Sequence, residues 1–345
     1  MQFECIKSMV KDPYSIFIVI NNTDLGPGLG GCRTWKYEND KQAKFDAERL
    51  AEGMTYKNSL AGVNYGGAKG VINLRDPKFR KEAFKDFGRL VETFHGGYIT
   101  GCDVGTMKED IDYMSQFTSY CAGGSIRKSP FTVSEVTAQG VLKGIEASVD
   151  FYRSAARLAP DAFLGMAVEK PISIGIQGVG KVGTHLVEML TKSEKYAIYI
   201  NDIDQKAVNK LLKKYPLKVQ EIREDFHKKR FDVFCPCAMG GVVNEANVHD
   251  FNSVIICGAA NNQLESLAIA ATLKQQGILY APDFLVNSGG AITICAELEL
   301  VEQSKVDEKI DGIYTTLTKI YQQAEITGKT TAEVAVDIAK ERLSQ

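Results

Sequence analysis

Residues 171–200 read as strand, glycine turn, helix and strand in that order, and this run restricts the possible folds of the chain more than any other. Ile172-Ser173-Ile174-Gly175-Ile176 has the β-branched content of a buried strand. Gly178-Val179-Gly180-Lys181-Val182-Gly183 fits G-x-G-x-x-G, a helical pattern covers 181–192, and Ala197-Ile198-Tyr199-Ile200 is a second strand. The glycine pattern alone is weak, since glycines recur by chance. After a strand and at the start of a helix it has a mechanism. The first glycine makes the turn, the second lets backbone approach a pyrophosphate, and the third lets helix pack on strand. Amides at the helix start then face the phosphate charge. Further strands at 231–234, 254–256 and 278–280, with helices between, predict a doubly wound, mostly parallel sheet.

The second strand ends in Asn201-Asp202-Ile203-Asp204. An acid roughly 20 residues beyond the first glycine accepts hydrogen bonds from the ribose hydroxyls and repels a 2′-phosphate, which favours NAD over NADP. The competing reading makes Asp202 the cap of the following helix; the complete strand–turn–helix–strand context favours the ribose.

Two lysines stand out in the N-terminal half. Ala43, Phe45, Ala47, Leu50, Ala51 and Met54 recur at helical spacing, so residues 41–56 form an amphipathic helix that delivers Lys57 near its C-terminal end. Lys69 sits in Gly66-Gly67-Ala68-Lys69-Gly70, read as a glycine-rich turn before a short strand at 71–74. Glycine lets backbone come close to a ligand, and a lysine partly stripped of water gives up its proton more readily, as a general base must. For a lysine taken at random, a solvated surface position is the ordinary state. Downstream, Asp76-Pro77 makes a turn, 80–94 a helix, and 97–100 a strand running into Gly101-Cys102-Asp103-Val104-Gly105-Thr106. Taken singly, Asp103 is a turn residue. In the company of Lys57 and Lys69 it is a carboxylate able to exchange protons and hold an ammonium group. Residues 138–149 read as a helix after 132–137, residues 152–168 as a surface excursion, and the tail from 306 to 343 as two helices parted near Thr327-Gly328. No internal repeat or low-complexity segment is visible.

Bulk properties narrow the function. The 345 residues are enough for about two domains. A hydrophobic content of 44% and a formal charge of −2 fit a soluble globular protein and give no basic field for nucleic acid or an anionic membrane. No apolar run reaches the roughly 18 residues of a membrane span. The N-terminus has no basic segment leading into an apolar core, so a secretory signal is not expected. Eight dispersed cysteines predict a reduced, cytoplasmic protein. Cys235-Pro236-Cys237 has no second ligand pair at metal spacing and is read as closing a strand, so no metal is expected. His95, His185, His227 and His249 carry no motif, which argues against a histidine-based hydroxy-acid or alcohol dehydrogenase.

Several blocks in order resemble the glutamate/leucine/phenylalanine/valine dehydrogenase family, in particular its shorter branch acting on apolar amino acids. They are Leu25-Gly26-Pro27-Gly28-Leu29-Gly30-Gly31-Cys32-Arg33, the two-lysine segment, the Asp103 loop, the nucleotide fingerprint, Cys235-Pro236-Cys237-Ala238-Met239-Gly240-Gly241, Gly258-Ala259-Ala260-Asn261-Asn262-Gln263-Leu264, and Ala281-Pro282-Asp283-Phe284 leading to Asn287-Ser288-Gly289-Gly290. The resemblance implies an N-terminal α/β substrate and catalytic domain and a Rossmann-type dinucleotide domain separated by a cleft. The boundaries expected are 1–135, 136–300, and a C-terminal helical segment 301–345 packing back towards the first domain.

It also implies roles. Lys57 would hold the substrate α-carboxylate, with Gly30 and Gly31 beside it. Lys69 would activate the water that attacks the imine, and Asp103 would shuttle protons with the amine. Thr137, Cys237, Ala238, Ala259, Asn261 and Asn287 would join Gly178, Gly180, Lys181, Val182, Gly183 and Asp202 at NAD. The implied reaction converts an L-amino acid, NAD⁺ and water to a 2-oxo acid, ammonia and NADH, in a homo-oligomer. Leu29 stands where glutamate-specific members carry a lysine, and a substrate carboxylate buried there unpaired would cost several kcal/mol. Leu29, Gly101 and Ala291 are expected to line an apolar pocket. The choice between branched-chain and aromatic substrates stays open, because one or two methylenes are worth only about 1–3 kcal/mol of discrimination. Thr132-Val133-Ser134-Glu135 departs from the family's Asn-Pro-Ser-Pro, Cys102 replaces a more polar residue, and 152–168 is longer than expected. A catalytically inactive nucleotide-binding relative would be expected to lack Lys57, Lys69 or Asp103, and all three are present.

Overall fold

The computed structural model describes residues 3–125, 131–158, 170–299 and 302–345. The chain divides into two units. The first comprises residues 1–130, 293–303 and 339–345, and the second 131–292 and 304–338. The C-terminal segment expected as one piece from 301 is thus shared between the two.

The first unit is built on a mixed sheet. Its strands are β1 (Cys5–Val10), β2 (Tyr14–Asn22), β3 (Gly28–Leu29), β4 (Cys32–Trp35), β5 (Gly66–Leu74) and β6 (Tyr98–Ile99), in the order β1-β2-β5-β3-β6 with β4 also on β5. β1 and β2 come from a stretch for which no sequence reading was made, although Tyr14-Ser15-Ile16-Phe17-Ile18-Val19-Ile20 is buried throughout. Alternation along β2 fills two cores. Ile16, Ile18 and Ile20 meet Phe84, Phe87 and Val91 of α2 (Arg80–Glu92), while Phe17 and Val19 meet Ala43, Ala47 and Ala51 of α1 (Asp40–Leu60).

Helix α1 begins where the Asn39 side chain accepts from the Gln42 amide, and it ends four residues later than its apolar spacing suggested. The buried face is the small-residue stripe of Ala43, Ala47 and Ala51; Phe45, counted into that face from the sequence, is 64% exposed.

Lys69 corrects a second expectation. It lies inside β5, not in a turn: residues 66–70 are all strand, and the missing side chains of Gly66, Gly67 and Gly70 make room for neighbours. A Cβ on Gly67 would overlap Thr55 of α1, and one on Gly70 would overlap Phe87 and crowd the Tyr98 hydroxyl.

The second unit carries the sheet β12-β11-β10-β7-β8-β9, formed by β7 (Ile172–Gln177), β8 (Tyr196–Asn201), β9 (Val219–Glu221), β10 (Val233–Pro236), β11 (Ile255–Ile256) and β12 (Leu279–Tyr280). Every pair is parallel. Counted within the unit the order is 3-2-1-4-5-6, the doubly wound dinucleotide arrangement, with its switch point between β7 and β10. After α3 (Lys108–Met114) comes helix α4 (Val133–Leu158), which starts earlier than expected and runs through the first part of the proposed 152–168 excursion. The rest of that excursion, 159–168, lies outside the described residues. Helices α5 (Lys181–Leu190) and α6 (Gln205–Lys214) follow β7 and β8 as anticipated. Then come α7 (Ile269–Gln275), α8 (Asp283–Val286), α9 (Gly289–Glu299), α10 (Gln303–Thr327) and α11 (Thr331–Leu343), the last two parted at Gly328 as the sequence indicated. No helix among the described residues is long and apolar enough to cross a membrane.

Candidate active site

Strands β3 and β4 pair with β5 in one continuous register, Leu29 with Gly67 and Cys32 with Gly70, so Gly31 lies opposite Lys69. Both glycines in the gap are sterically required. A Cβ on Gly30 would overlap the Ala68 carbonyl, and one on Gly31 the Cys102 carbonyl. Strand alternation then decides which face receives which chemistry. Gly67, Lys69 and Val71 point towards α1, and so does Arg33, between the buried Cys32 and Thr34.

The loop bearing Asp103 is fastened to the same strand. The Cys32 amide donates to Gly101 O (2.8 Å) and the Thr34 amide to Val104 O (2.9 Å), and the Thr34 and Thr106 hydroxyls meet at 2.8 Å. Gly105, at φ +74°, turns under Thr34 where a side chain would overlap its carbonyl.

These elements assemble a buried ionic cluster. Lys69 Nζ stands 2.7 Å from Asp103 Oδ2, and Arg33 Nε faces the same oxygen at 3.4 Å. Arg33 Nη1 reaches back to Asp46 Oδ2 of α1 (3.0 Å), which also accepts from the Tyr37 hydroxyl (2.6 Å). The other Asp46 oxygen accepts from Arg49 (2.8 Å). Burial would push the Asp103 carboxyl up; Lys69 and Arg33 outweigh it and hold the carboxyl below its ordinary value. Sequence reasoning brought Lys69 and Asp103 forward but missed Arg33 and Asp46. The available signal was an arginine alternating with residues that read as buried.

Lys57 occupies the last turn of α1, one turn beyond Met54, whose Cγ approaches Gly30. The neighbouring Asn58 staples that turn to the sheet, donating to Gly66 O (2.6 Å) and Leu29 O (3.2 Å). Arg342 caps it with bonds to Ser59 O (2.7 Å) and Val63 O (3.0 Å). Leu29 and Gly101 are buried in the first unit on β3 and beyond β6, and Ala291 is buried on the first turn of α9, in the second unit.

In the second unit the fingerprint glycines divide by cause. Gly178 (φ +102°) abuts Ala238 and Cys237 across the switch point, and Gly183 packs on the Gly178 carbonyl. Gly180 has no neighbour that a Cβ would meet, and as N-cap of α5 it gives the helix no side-chain bond. The α5 amides contributed by Lys181 and Val182 therefore begin at an open, uncapped terminus suited to a phosphate.

Asp202 Oδ2 accepts from the Val179 amide (2.6 Å), which fixes the carboxylate against the glycine loop; the cap of α6 is Asp204. Beyond β11, Asn287 donates to Asn261 Oδ1 (2.9 Å) and Ala259 O (3.2 Å), and Gly289 packs against Thr137. Asn287 Oδ1 and Ser288 Oγ are buried without a hydrogen-bond partner, so polar capacity is left over for a ligand amide. An open glycine, an uncapped helix start and these two atoms fit a dinucleotide. Cys235 and Cys237 are free thiols with sulfurs 3.6 Å apart, and no group of three metal-ligating residues occurs among the described residues.

Comparison with known proteins follows the same outline. A family model described as Glu/Leu/Phe/Val dehydrogenase, dimerisation domain, matches residues 10–120, and one described as Glutamate/Leucine/Phenylalanine/Valine dehydrogenase matches 199–345. The chain is 37% identical to a phenylalanine dehydrogenase of Caldalkalibacillus thermarum, over 97% of its own length and 90% of the relative's. It is 35% identical to a leucine dehydrogenase of Bacillus subtilis, over 95% and 87%. The solved L-tryptophan dehydrogenase of Nostoc punctiforme superposes with a TM-score of 0.82 at 31% identity, covering 99% of this chain and 96% of that one.

Proposed function

The chain belongs to the glutamate/leucine/phenylalanine/valine dehydrogenase family, and from that premise we propose that it catalyses reversible, NAD-dependent oxidative deamination of an apolar L-amino acid. The products are the 2-oxo acid, ammonia and NADH. The observation that carries this reading is the buried Lys69–Asp103 pair, set opposite Gly31 and within the same unit as Lys57.

Lys57 holds the α-carboxylate at the glycine gap. Asp103, held ionised, binds the substrate ammonium and then offsets the positive charge that grows on the iminium as Cα is oxidised. A carboxyl held below its ordinary value is a weaker proton acceptor and a better partner for a cation. Proton exchange with the amine is therefore a property of the Lys69–Asp103 pair rather than of either group alone. Lys69 positions the water that adds to the imine carbon and takes its proton. NAD, when bound, supplies the hydride acceptor. Gly180 and the α5 amides would cradle its pyrophosphate, Asn261, Asn287 and Thr137 its nicotinamide end, and Asp202 its ribose. A carboxylate at that position disfavours a 2′-phosphate.

Leu29 gives a side-chain carboxylate no cation, so apolar side chains are the accepted class, in line with leucine, phenylalanine, valine and tryptophan dehydrogenases among the relatives. The match of residues 10–120 to a dimerisation domain supports a homo-oligomer. The test is NADH formation at alkaline pH with leucine, valine, phenylalanine, tryptophan and glutamate in turn. Turnover of one or more apolar substrates is expected; turnover of glutamate alone overturns the pocket assignment.

A further inference from the structure

Arg33 is a second cation on the reaction's own carboxylate, and its chemistry differs from that of Lys69. A lysine can lose its proton during catalysis, whereas a guanidinium does not titrate in a working protein. Both stand on Asp103 Oδ2, Lys69 at 2.7 Å and Arg33 Nε at 3.4 Å. Arg33 Nε is buried and has no hydrogen-bond acceptor.

We propose that Arg33 is a positioning residue that keeps Asp103 ionised through the part of the cycle in which Lys69 gives up its charge. The proposal rests on the function inferred above. Asp103 lies in a site where an unpaired carboxylate would take a proton instead of staying charged. Once Lys69 has released its proton to solvent, and until it takes one from the attacking water, Arg33 is the charged group still standing on Asp103 Oδ2, and a shift of a few tenths of an ångström shortens the Nε contact to ordinary hydrogen-bond length. The carboxylate can then go on holding the iminium.

Arg33 is in turn prevented from swinging fully onto Asp103 by Asp46, which takes its Nη1 at 3.0 Å and is itself fixed by Tyr37 and Arg49. The cluster alternates in sign, Lys69, Asp103, Arg33, Asp46, Arg49, and its tail lies on α1, the helix that bears Lys57. Two further titratable groups that feel Asp103 are the Cys32 thiol of β4 and the Tyr98 hydroxyl of β6. Burial pushes the pKa of both up and keeps them neutral, so neither can replace Arg33.

The test follows Asp103 itself. Carboxyl-carbon NMR titration of the full-length enzyme is run on wild type, Arg33→Met, Arg33→Lys and Asp46→Asn, alongside pH profiles of kcat/KM. In wild type Asp103 is expected to stay ionised to the lowest pH the fold survives. In Arg33→Met its protonation should rise by about 1–3 pH units into the accessible range, adding an acid limb to kcat/KM. Arg33→Lys should restore most of the difference. Asp46→Asn, which frees Arg33 for Asp103, should not raise the midpoint at all.

An unchanged midpoint in folded Arg33→Met overturns the proposal. So does a rise in Asp46→Asn, which would show that the scaffold and not the charge sets the site. If Arg33→Met does not fold, the Asp46→Asn titration decides alone. The titration is read without turnover, so failure of the wild type to oxidise any amino acid would sink the proposed function and leave this inference separately decided.

Discussion

Lys69 and Gly180 are the two residues whose replacement separates the halves of the chemistry. Lys69 is 5% exposed and ion-paired with Asp103, so Lys69→Ala removes a titratable cation from that carboxylate while Arg33 stays. Turnover should fall by about 10²–10⁴-fold, the usual worth of a positioned acid or base. NADH binding, followed by its fluorescence, should persist. A folded mutant that no longer binds NADH would remove Lys69 from the role given to it.

Gly180 is the counterpart in the nucleotide loop. It is the one fingerprint glycine with open space around its Cα, so Gly180→Ala should leave the melting temperature near wild type and weaken NADH by roughly tenfold or more, about 1.4 kcal/mol. Gly178→Ala should do the reverse in order of cause. With φ at +102° and Ala238 N 2.7 Å from the added Cβ, the fold suffers first. Equal loss of stability in the two variants would mean that the glycines are there for packing alone.

Elements show why some of this was legible in the sequence and some was not. The strand–turn–helix signal around Gly178 was readable because the fixed spacing of its glycines and the flanking strand and helix patterns all lie within one short stretch of chain, even though Gly178 itself also answers to Ala238, and the structure returns the strands and helices close to their expected limits. The strand holding Lys69 was not, because its glycines answer to neighbours distant in sequence, Thr55 on one face and Phe87 on the other. Local composition reported a turn where tertiary contacts required a flat strand. Arg33 was hidden for a related reason: its partners Asp46 and Asp103 are brought to it by a helix and a loop whose approach no spacing rule encodes.

The end of α1 is similarly non-local. Arg342 of α11 caps the turn that carries Lys57, donating to Ser59 O, Val63 O and Asn64 Oδ1, and Ser59 returns a bond to Ala339 O. Arg342→Ala leaves those carbonyls short of a donor at a cost of about 1–3 kcal/mol. Amide exchange at residues 57–63 should quicken, and KM for the amino acid should rise roughly fivefold if about 1 kcal/mol of that order is lost from Lys57. NADH affinity should not move. Unchanged exchange at 57–63 would show that the cap holds nothing in place.

At the scale of the whole molecule the two units differ in how they store charge. In the first, Asp40, Asp46, Asp86 and Asp103 all have depressed pKa values. Burial alone would push each carboxyl up. It is outweighed by Asn73, Ser15 and Arg75 at Asp40, by Tyr37, Arg49 and Arg33 at Asp46, by Lys11 and Tyr14 at Asp86, and by Lys69 and Arg33 at Asp103. In the second, the depressed acids Glu308 and Glu333 are exposed, where solvent screens such pairs and their stabilising effect is small; Glu188 is as exposed as Asp40, and Glu221 is half-buried against Arg223 and Gln205.

The consequence is a pH order of unfolding. A carboxyl whose folded value is depressed contributes stability that is present above its unfolded value, near 3.8 for aspartate, and is lost as pH falls through the folded value. The three less exposed aspartates of the first unit, Asp46, Asp86 and Asp103, therefore withdraw their support together below about pH 4. Hydrogen exchange in acid should show β2 and β5 losing protection at a higher pH than β7 and β10. Replacing Asp86 with Asn should flatten that acid loss while lowering stability at neutral pH, since the Lys11 ion pair goes with it. Simultaneous loss in both units, or loss of β7 and β10 first, would show that these buried carboxylates are not what acid attacks.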